Sequence, residues 1–421
     1  MWVAERIIPQ QEKKTMEETA EVCLEQLIQR SLVQVSSRHP NGSIKDCQVH
    51  DLVRDLAIHE ATKENFISVF PKPQDSVNHL DRVTRRASLQ SNCTEYIDYV
   101  TPTTRSLFWF GQGSDIPMYS EFKLLRILEI DYVKDFELRG IDRLIHLKYL
   151  GIKFCSRLKF SNGCSLGRLK NLETLDLRET DLDNDDIPMG LWTIDTLRHA
   201  MCGESIVCGP PSNAHLRNLQ TLDCISVSDA WKNQVPCLKN LRELGVVNRH
   251  AKNFDGVASL LGTLSHLLSL SVENRVEGQY IPKKIVYPTM IPNYQNLQSL
   301  SLWGRWSKGV TLEASSFPPH LVKLVLSDSE LRQDPMEELG KLKNLKKLKL
   351  YGKVYIGAEE MICPVGFPVL ENLYINLDGA ESFTVKEGSE GVMPKLKHLE
   401  NDGEFIALYM PPELEHFDKY Y

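Results

Sequence analysis

The chain has 421 residues, of which 42% are hydrophobic and 25% are charged, and these proportions are typical of a globular protein rather than a disordered or collagen-like one. Its 49 basic and 56 acidic residues give a formal net charge of -7, so no overall positive field attracts nucleic acid or an anionic membrane. The sequence contains no long apolar run, no signal peptide and no Cys-x-x-Cys pair among its ten cysteines. We therefore expect a cytoplasmic protein with reduced cysteines, no integral membrane segment and no metal site.

The first predicted element is a helix near the start of the chain. Thr15-Met16-Glu17-Glu18 is a capping box, which marks the N-terminus of a helix, and we expect this helix to end near Arg30. The apolar residues that predict its buried face are Val22, Cys23, Leu24, Leu27 and Ile28.

A hairpin and a second helix are predicted next. Residues 31–35 and 44–49 alternate between apolar and polar types on either side of Asn41-Gly42, a dipeptide that favours a hairpin turn. We expect Asp51 to cap the second helix. The residues expected to point inward from this helix are Leu52, Val53, Leu56 and Ala57. Helix, hairpin and helix in this order predict a partial winged-helix domain over residues 1–62, followed by a linker over residues 63–82.

Winged-helix domains often bind DNA, but the charge of the first predicted helix argues against this function. Its glutamates are Glu17, Glu18, Glu21 and Glu25. Because neutralisation of phosphates supplies most of the affinity for nucleic acid, these carboxylates would repel DNA. We expect no nucleic-acid partner.

The rest of the chain repeats one motif, with apolar residues at relative positions one, four and six. The first residues of the twelve copies are Leu125, Leu147, Leu172, Leu197, Leu219, Leu241, Leu267, Leu297, Leu321, Leu345, Leu370 and Leu396. The mean step of about 25 residues is that of a leucine-rich repeat. The phrase Leu169-Lys170-Asn171-Leu172 recurs with little change at 216–219, 238–241 and 342–345. Weaker copies at 85–89 and 104–107 extend the array toward the N-terminus.

One repeat cannot fold alone, because burying three motif side chains gains roughly 5 to 9 kcal/mol while ordering two dozen residues costs at least ~1 kcal/mol each. Stacking supplies the difference, since each motif forms a short strand that pairs in parallel with its neighbours. The predicted fold is therefore α/β: a leucine-rich-repeat solenoid with a curved parallel sheet over residues 83–421, preceded by the partial winged-helix domain.

The residues between the motif leucines are expected to face solvent on the concave side of this sheet. They are Tyr149, His199, Asp223, Glu243, Glu273, Trp303, Lys323, Lys347, Lys349, Tyr351, Tyr374 and His398. Trp303, Tyr351 and Tyr374, with Tyr149, have the chemistry of protein-interface anchors, although stacking on one another is an equal alternative. Lys323, Lys347 and Lys349 form a positive strip that would suit an acidic protein partner, although a solvated face is the simpler interpretation.

Three phrases in the first sixty residues resemble motifs of the plant intracellular nucleotide-binding leucine-rich-repeat family of disease resistance proteins. They are Met1-Trp2-Val3-Ala4-Glu5, Leu27-Ile28-Gln29-Arg30-Ser31-Leu32 and Val49-His50-Asp51-Leu52. In that family the histidine of the third phrase contacts the terminal phosphate of bound ADP, and the resemblance gives this role to His50, with Asp51 supporting the loop. The alternative is that His50 is a turn residue and that Asp51 only caps the helix.

The resemblance implies a plant innate immunity receptor whose repeats recognise a pathogen effector or a guarded host protein. No Gly-x-x-x-x-Gly-Lys-Ser/Thr phosphate-binding loop occurs in the sequence, so we expect no cofactor in this chain, and ADP or ATP only together with a nucleotide-binding domain. The alternative function is a truncated adaptor without nucleotide switching. An enzymatic function is the least favoured hypothesis, because the sequence shows no recognisable Ser/His/Asp, Cys/His or paired-carboxylate catalytic pattern.

Overall fold

The computed structural model describes most of the chain. The described residues are 1–9, 16–38, 44–70, 85–90, 100–111, 119–161, 164–182, 187–202, 214, 216–226, 238–247, 264–273, 294–306, 311–357, 360–363, 366–376, 382–385, 392–401, 404–407 and 416–419. The chain forms two compact units, and the second begins at Ile225.

The N-terminal part contains the predicted helix, hairpin and helix. These are α1 (Met16–Gln29), β1 (Gln34–Arg38), β2 (Ile44–Gln48) and α2 (Asp51–Lys63). β1 and β2 pair antiparallel, as predicted. The predicted capping residue Thr15 and the turn at Asn41-Gly42 lie outside the described residues.

The first strand begins later than predicted because the end of α1 occupies the residues before it. Ser31 adopts a left-handed φ of 58°. Its backbone N–H donates to Ile28 at 2.8 Å, and that of Leu32 donates to Leu27 at 3.0 Å. These bonds satisfy the last carbonyls of the helix, so the chain is free to pair as a strand only from Gln34.

The second helix differs from the prediction in its cap and in its buried face. His50, not Asp51, is the N-cap, and its Nδ1 accepts a hydrogen bond from the Leu52 backbone N–H at 3.3 Å. Leu52 and Leu56 are 74% and 60% exposed and Ala57 is also exposed, so the expectation that these three residues point inward is wrong. Among the described residues α2 packs on β3 (Ser68–Phe70), and its half-buried apolar residues include Val53.

The remaining elements of the first unit are the repeat strands and short 3-10 helices. The strands are β4 (Arg86–Gln90), β5 (Ser106–Phe110), β6 (Ile127–Asp131), β7 (Glu137–Leu138), β8 (Tyr149–Lys153), β9 (Lys159–Phe160), β10 (Thr174–Asp176), β11 (His199–Met201) and β12 (Thr221–Ser226). The 3-10 helices are Tyr119–Glu121, Ile141–Arg143, Leu166–Arg168 and Met189–Thr193. All strands except β7 and β9, which pair with each other, form one parallel sheet in chain order from β3 to β12. The expected linker, 63–82, therefore contains a strand of the sheet.

The second unit repeats this architecture. Its strands are β13 (Glu243–Val247), β14 (Ser269–Glu273), β15 (Ser299–Trp303), β16 (Lys323–Ser327), β17 (Lys347–Tyr351), β18 (Glu360–Cys363), β19 (Asn372–Asn376), β20 (Ser382–Val385), β21 (His398–Asn401), β22 (Glu404–Ala407) and β23 (His416–Lys419). Its described helices are the α-helix α3 (Met336–Leu339) and the 3-10 helix Ala314–Ser316. β18, β20 and β22 form a separate three-stranded parallel sheet, and the others form the main parallel sheet.

The strands are in register, so that the residues at motif position four lie side by side. In the first unit these are Leu107, Leu128, Leu150, Leu175, Ala200 and Leu222. In the second unit they are Leu244, Leu270, Leu300, Leu324, Leu348, Leu373 and Leu399. All of them are buried, which makes these ladders the core of each unit. The predicted parallel repeat fold is confirmed, and the weaker copies at 85–89 and 104–107 form β4 and β5.

The recurring Leu-Lys-Asn-Leu phrase joins each repeat to the one before it. Its two leucines are buried, as Leu169 and Leu172 illustrate. The asparagine between them is exposed and donates from Nδ2 to a backbone carbonyl of the preceding repeat: Asn171 to Ile145 at 2.8 Å and Asn218 to Asp195 at 2.7 Å. The phrase therefore serves packing and hydrogen bonding between repeats.

Candidate functional site

The main candidate site is a row of aromatic side chains on the repeat strands of the second unit. Trp303 ends β15 and Tyr351 ends β17, and Ser327 of β16 lies between them in register. Because Ser327 is small, the rings of Trp303 and Tyr351 approach to a centroid distance of 6.0 Å with an interplanar angle of 19°. The two rings cover Ser327, which is only 2% exposed.

Tyr374 of β19 and Lys349 of β17 extend this row. The Tyr374 ring lies 4.6 Å from the Tyr351 ring. Lys349 donates from Nζ to the Tyr351 hydroxyl at 2.9 Å and lies 4.9 Å from the centroid of the Tyr374 ring. Burial lowers the pKa of Lys349, although the charge of Glu400 opposes this shift. We call Trp303, Lys349, Tyr351 and Tyr374 the aromatic-lysine strip.

The other two lysines predicted for this surface lie at the opposite end of the same strands. Lys323 of β16 and Lys347 of β17 are direct neighbours in register, and both are half-buried. Lys347, Lys349 and Tyr351 alternate along β17, so they stand on the same side of the sheet. This side carries the residues between the motif leucines, and we call it the non-core face. The structure therefore brings three lysines and three aromatic residues onto the non-core face of one unit.

Tyr149, the remaining residue expected on an accessible surface, is covered. It lies on β8 in the first unit and is 5% exposed, because Ala4 of the N-terminal segment packs on it together with Ile127. Burial and the charge of Glu129 raise the pKa of Tyr149. The expectation that Tyr149 faces solvent is wrong, since a strand pattern does not show that a distant segment covers the strand.

Charged side chains surround this covered part of the non-core face. Lys153 forms an ion pair with Glu129, whose side chain is 2% exposed. Arg178 donates from Nε and Nη2 to the carboxylate of Asp176 at 2.9 and 2.8 Å. Asp131 is buried beside Glu129, and burial together with this neighbouring charge raises the pKa of Asp131 to about 7. Three carboxylates therefore share two cations on this face.

Two glutamates attach the winged-helix part to the repeat strands. Glu5 accepts a hydrogen bond from Nε of Arg86 at 2.7 Å. Glu17, in the first turn of α1, accepts from both terminal nitrogens of Arg198 at 2.7 and 3.0 Å. His199 lies 3.6 Å from the same carboxylate. His199 and Arg198 lower the pKa of Glu17 to about 2 against the opposing effect of burial, so the ionised carboxylate is favoured here.

His50 and Asp51 lie at the N-terminus of α2, where the first backbone N–H groups of the helix point outward. Since Nδ1 of His50 accepts the capping hydrogen bond, the neutral ring carries its proton on Nε2. The imidazole is exposed, so Nε2 is an available donor. Asp51 is also exposed and forms an ion pair with Arg54 at 3.1 Å. An anion would meet both a helix N-terminus and an imidazole donor at this position.

Residues 103–410 match the family model of the leucine-rich repeat region, which is more than half of the chain. The chain belongs to the leucine-rich repeat family. Residues 1–57 of this leucine-rich repeat protein match the disease resistance protein winged helix domain. The predicted resemblance to disease resistance proteins is thereby confirmed for the winged-helix part, and the predicted leucine-rich repeats are confirmed for the rest.

Two relatives in Arabidopsis thaliana are disease resistance proteins. Disease resistance protein RPP8 is 28% identical over 425 residues, which cover 95% of this leucine-rich repeat chain and 44% of that protein. Probable disease resistance protein RF9 is 30% identical over 430 residues, which cover 94% of this chain and 39% of that protein. The chain thus spans less than half the length of these relatives.

Among solved structures, a leucine-rich repeat protein of Leptospira interrogans has the same fold. It aligns with a TM-score of 0.51 over 82% of this chain and 90% of that chain, at 17% identity. No described helix is long and apolar enough to cross a membrane. The described residues also contain no group of three or more His, Cys, Asp or Glu side chains that could hold a metal ion.

Sequence reasoning missed the residues that attach the winged-helix part to the leucine-rich repeats. Arg86 and Arg198 lie outside the residues expected on the concave side, and Glu17 was considered only as part of the capping box and as a charge that repels DNA. Glu17 and Arg198 are 181 residues apart, and no motif links them. The only feature of these residues that the sequence shows is their charge, and charge does not distinguish them from other surface residues.

Proposed function

We propose that this chain is the winged-helix and recognition part of a plant disease resistance receptor, and that the aromatic-lysine strip binds a pathogen effector or a guarded host protein. The observation that carries the proposal is the strip itself, in which aromatic residues of three repeat strands, β15, β17 and β19, stand together on the non-core face. The relatives named as disease resistance proteins, and the winged-helix match, support the biological role.

The chemistry of the strip indicates the kind of protein that it would bind. Trp and Tyr side chains lose little conformational entropy on binding and supply large contact areas. The Lys349 ammonium lies between two tyrosine rings, and Lys323 and Lys347 add positive charge on the same face. We therefore expect a partner whose surface places acidic side chains next to an apolar anchor.

The covered part of the non-core face in the first unit supports a role in coupling rather than in recognition. There Glu5, Glu17 and Ala4 of the winged-helix part already contact the repeat strands. A ligand can change the state of a receptor only if it binds the two states with different affinity. Because the winged-helix part is attached directly to the repeats, a conformational change in the repeats would alter the contacts of the winged-helix part. We propose that this attachment couples partner binding by the repeats to the state of the receptor.

His50 is the proposed nucleotide contact, in a receptor that includes a nucleotide-binding domain. The residues present fit such a role, because the exposed Nε2 donor and the N-terminus of α2 both favour a phosphate. A bound nucleotide would supply the charge that distinguishes the two receptor states. This chain would contribute a hydrogen-bond donor and a helix N-terminus to it.

A substitution in the strip tests the recognition part of the proposal. Trp303→Ala should weaken binding of the partner by about 2 kcal/mol, roughly 30-fold in the dissociation constant, because it removes the largest ring of the strip. Partners captured by the wild-type chain from infected plant tissue would be purified, and their dissociation constants measured by calorimetry.

Ile362→Ala is the matched control for this experiment. Ile362 is a large apolar residue of the same unit, 41% exposed, on the separate sheet that contains β18. Its replacement should leave the dissociation constant unchanged. If Trp303→Ala folds normally and binds as tightly as the wild type, the strip is not the recognition surface.

A further inference from the structure

A separate pair of aromatic residues lies on the surface of the first unit, directly after the repeat strands. Tyr132 follows β6 and Phe154 follows β8, and their rings stack with a centroid distance of 5.0 Å and an interplanar angle of 8°. Their exposed fractions are 53% and 48%, and both are among the large apolar residues that the fold leaves in water. Each stands at position eight of its repeat.

The backbone at these positions is unfavourable for aromatic residues. Tyr132 and Phe154 have left-handed φ angles of 64° and 55°. The same repeat position in the second unit holds Gly304, Asp328 and Gly352, with φ angles of 134°, 51° and 60°. Glycine and aspartate accept positive φ more easily than bulky residues, for which this conformation is strained. The turn itself therefore does not need aromatic side chains, and such local strain is commonly found at functional sites.

The surroundings of the pair are charged. Tyr132 and Phe154 line an open groove of about 800 Å³ together with Lys134, Ser156, Glu179 and Asp181. In three successive repeats, position eight is occupied by Tyr132, Phe154 and Glu179. Glu179 also has a left-handed φ, of 57°.

Position ten of the same repeats is occupied in turn by Lys134, Ser156 and Asp181, so two carboxylates, Glu179 and Asp181, line the groove beside Phe154. Among the described residues neither Glu179 nor Asp181 has an ion-pair partner, whereas nearby Asp135 pairs with Arg157 at 2.5 Å.

We propose that this groove binds an arginine side chain presented by another protein. A guanidinium is planar and can stack on the exposed face of an aromatic ring while it donates to a carboxylate. The groove offers both features next to each other, with Phe154 beside Glu179 and Asp181. Lysine fits less well, since its ammonium is a compact charge that cannot stack. The site is separate from the aromatic-lysine strip and does not depend on the proposed receptor function.

The test uses a labelled hexa-arginine peptide and the full 421-residue chain. Fluorescence anisotropy would give the dissociation constant for the wild type, for the double variant Tyr132→Gly with Phe154→Gly, and for the double variant Glu179→Gln with Asp181→Asn. Each double variant should weaken binding about tenfold or more, because each removes half of the site. A hexa-lysine peptide should bind the wild type more weakly than hexa-arginine does.

The glycine variant also separates binding from stability. Since glycine accepts positive φ, the melting temperature of the double glycine variant should equal or exceed that of the wild type. Glu121→Gln, at an exposed carboxylate of the same unit outside the groove, is the control and should leave the dissociation constant within about twofold. The proposal is overturned if the glycine variant binds hexa-arginine like the wild type. A lower melting temperature with unchanged binding would likewise show that the aromatic pair is structural.

Discussion

Asn344 illustrates how one exposed polar residue holds two repeats together. Its side chain donates from Nδ2 to the backbone carbonyl of Pro319 in the preceding repeat at 2.8 Å. That carbonyl lies in the turn before β16. The same bond is made by Asn171 and Asn218 in the first unit. The sequence shows that the asparagine recurs, but only the structure shows which carbonyl it satisfies.

Replacing Asn344 with alanine should lower the free energy of unfolding by about 1 kcal/mol, because the Pro319 carbonyl loses its partner. Chemical denaturation of the purified chain would measure the change. Lys343→Ala is the matched control, since Lys343 is an exposed neighbour in the same phrase and should cost less than about 0.5 kcal/mol. Equal losses for the two variants would show that the bond between repeats contributes nothing.

Gly151 shows a residue whose role no sequence pattern indicated. It lies on β8 between Glu129 of β6 and Asp176 of β10 in register. A β-carbon at this position would lie 1.9 Å from Oε2 of Glu129 and 2.8 Å from the Tyr149 ring. The Glu129 carboxylate can therefore lie over the strand only because Gly151 has no side chain. In the sequence, Gly151 is simply a glycine between two motif positions.

At the scale of elements, α1 shows how charged contacts help to position a helix. Its apolar residues are only half-buried, and Thr19 is its one buried residue. The contacts of Glu17 with Arg198 and His199 therefore contribute a large share of what holds the helix on the strands. Bidentate pairs of this kind are among the stronger charge-assisted hydrogen bonds.

Glu17→Gln should loosen α1 from the repeat strands, because it removes the charge that pairs with Arg198. We expect amide hydrogen exchange in residues 16–29 to become roughly tenfold faster, consistent with the loss of a charge-assisted pair worth 1–2 kcal/mol. Hydrogen exchange followed by mass spectrometry would measure this change along the helix.

Glu21→Gln provides the control, since Glu21 is an exposed glutamate of the same helix. Its replacement should leave exchange unchanged. A second variant that exchanges the charges, Glu17→Arg with Arg198→Glu, should restore slow exchange if the pair itself positions the helix. If Glu17→Gln exchanges like the wild type, apolar packing alone holds α1.

The sequence predicted the repeat strands and the presence of the second helix, but it did not predict which face of that helix is buried. Each repeat buries the same three positions against its neighbours, so a periodic pattern is sufficient to identify the strands. Leu52 and Leu56 of α2 have the spacing of a buried face, yet both are exposed among the described residues. Periodicity shows that a face is apolar, but it does not show what covers it.

At the scale of the whole chain, the two units use the non-core face differently. In the first unit the N-terminal segment covers Tyr149, and in the second the aromatic-lysine strip remains half-exposed. Both units carry the same repeat motif, so the sequence pattern predicted solvent exposure for Tyr149 and Tyr351 alike. Contacts between residues far apart in the chain decide the difference, and single-sequence reasoning has no access to them.

The proposed switch gives the final prediction, for a full-length receptor that contains this chain. Asp51→Val should produce signalling without a pathogen, because it removes a negative charge from the first turn of α2 beside the capping residue His50. Loss of that charge weakens the helix N-terminus where the proposed nucleotide contact lies. Cell death after transient expression in leaves would measure the response.

Asp55→Val is the decisive control, because Asp51 and Asp55 each lie 3.1 Å from a terminal nitrogen of Arg54. Asp55 lies one turn further along α2, away from His50. If the effect of Asp51 depends on the helix N-terminus, Asp55→Val should stay silent. Signalling by both variants would assign the effect to Arg54, and silence of both would remove this loop from the switch.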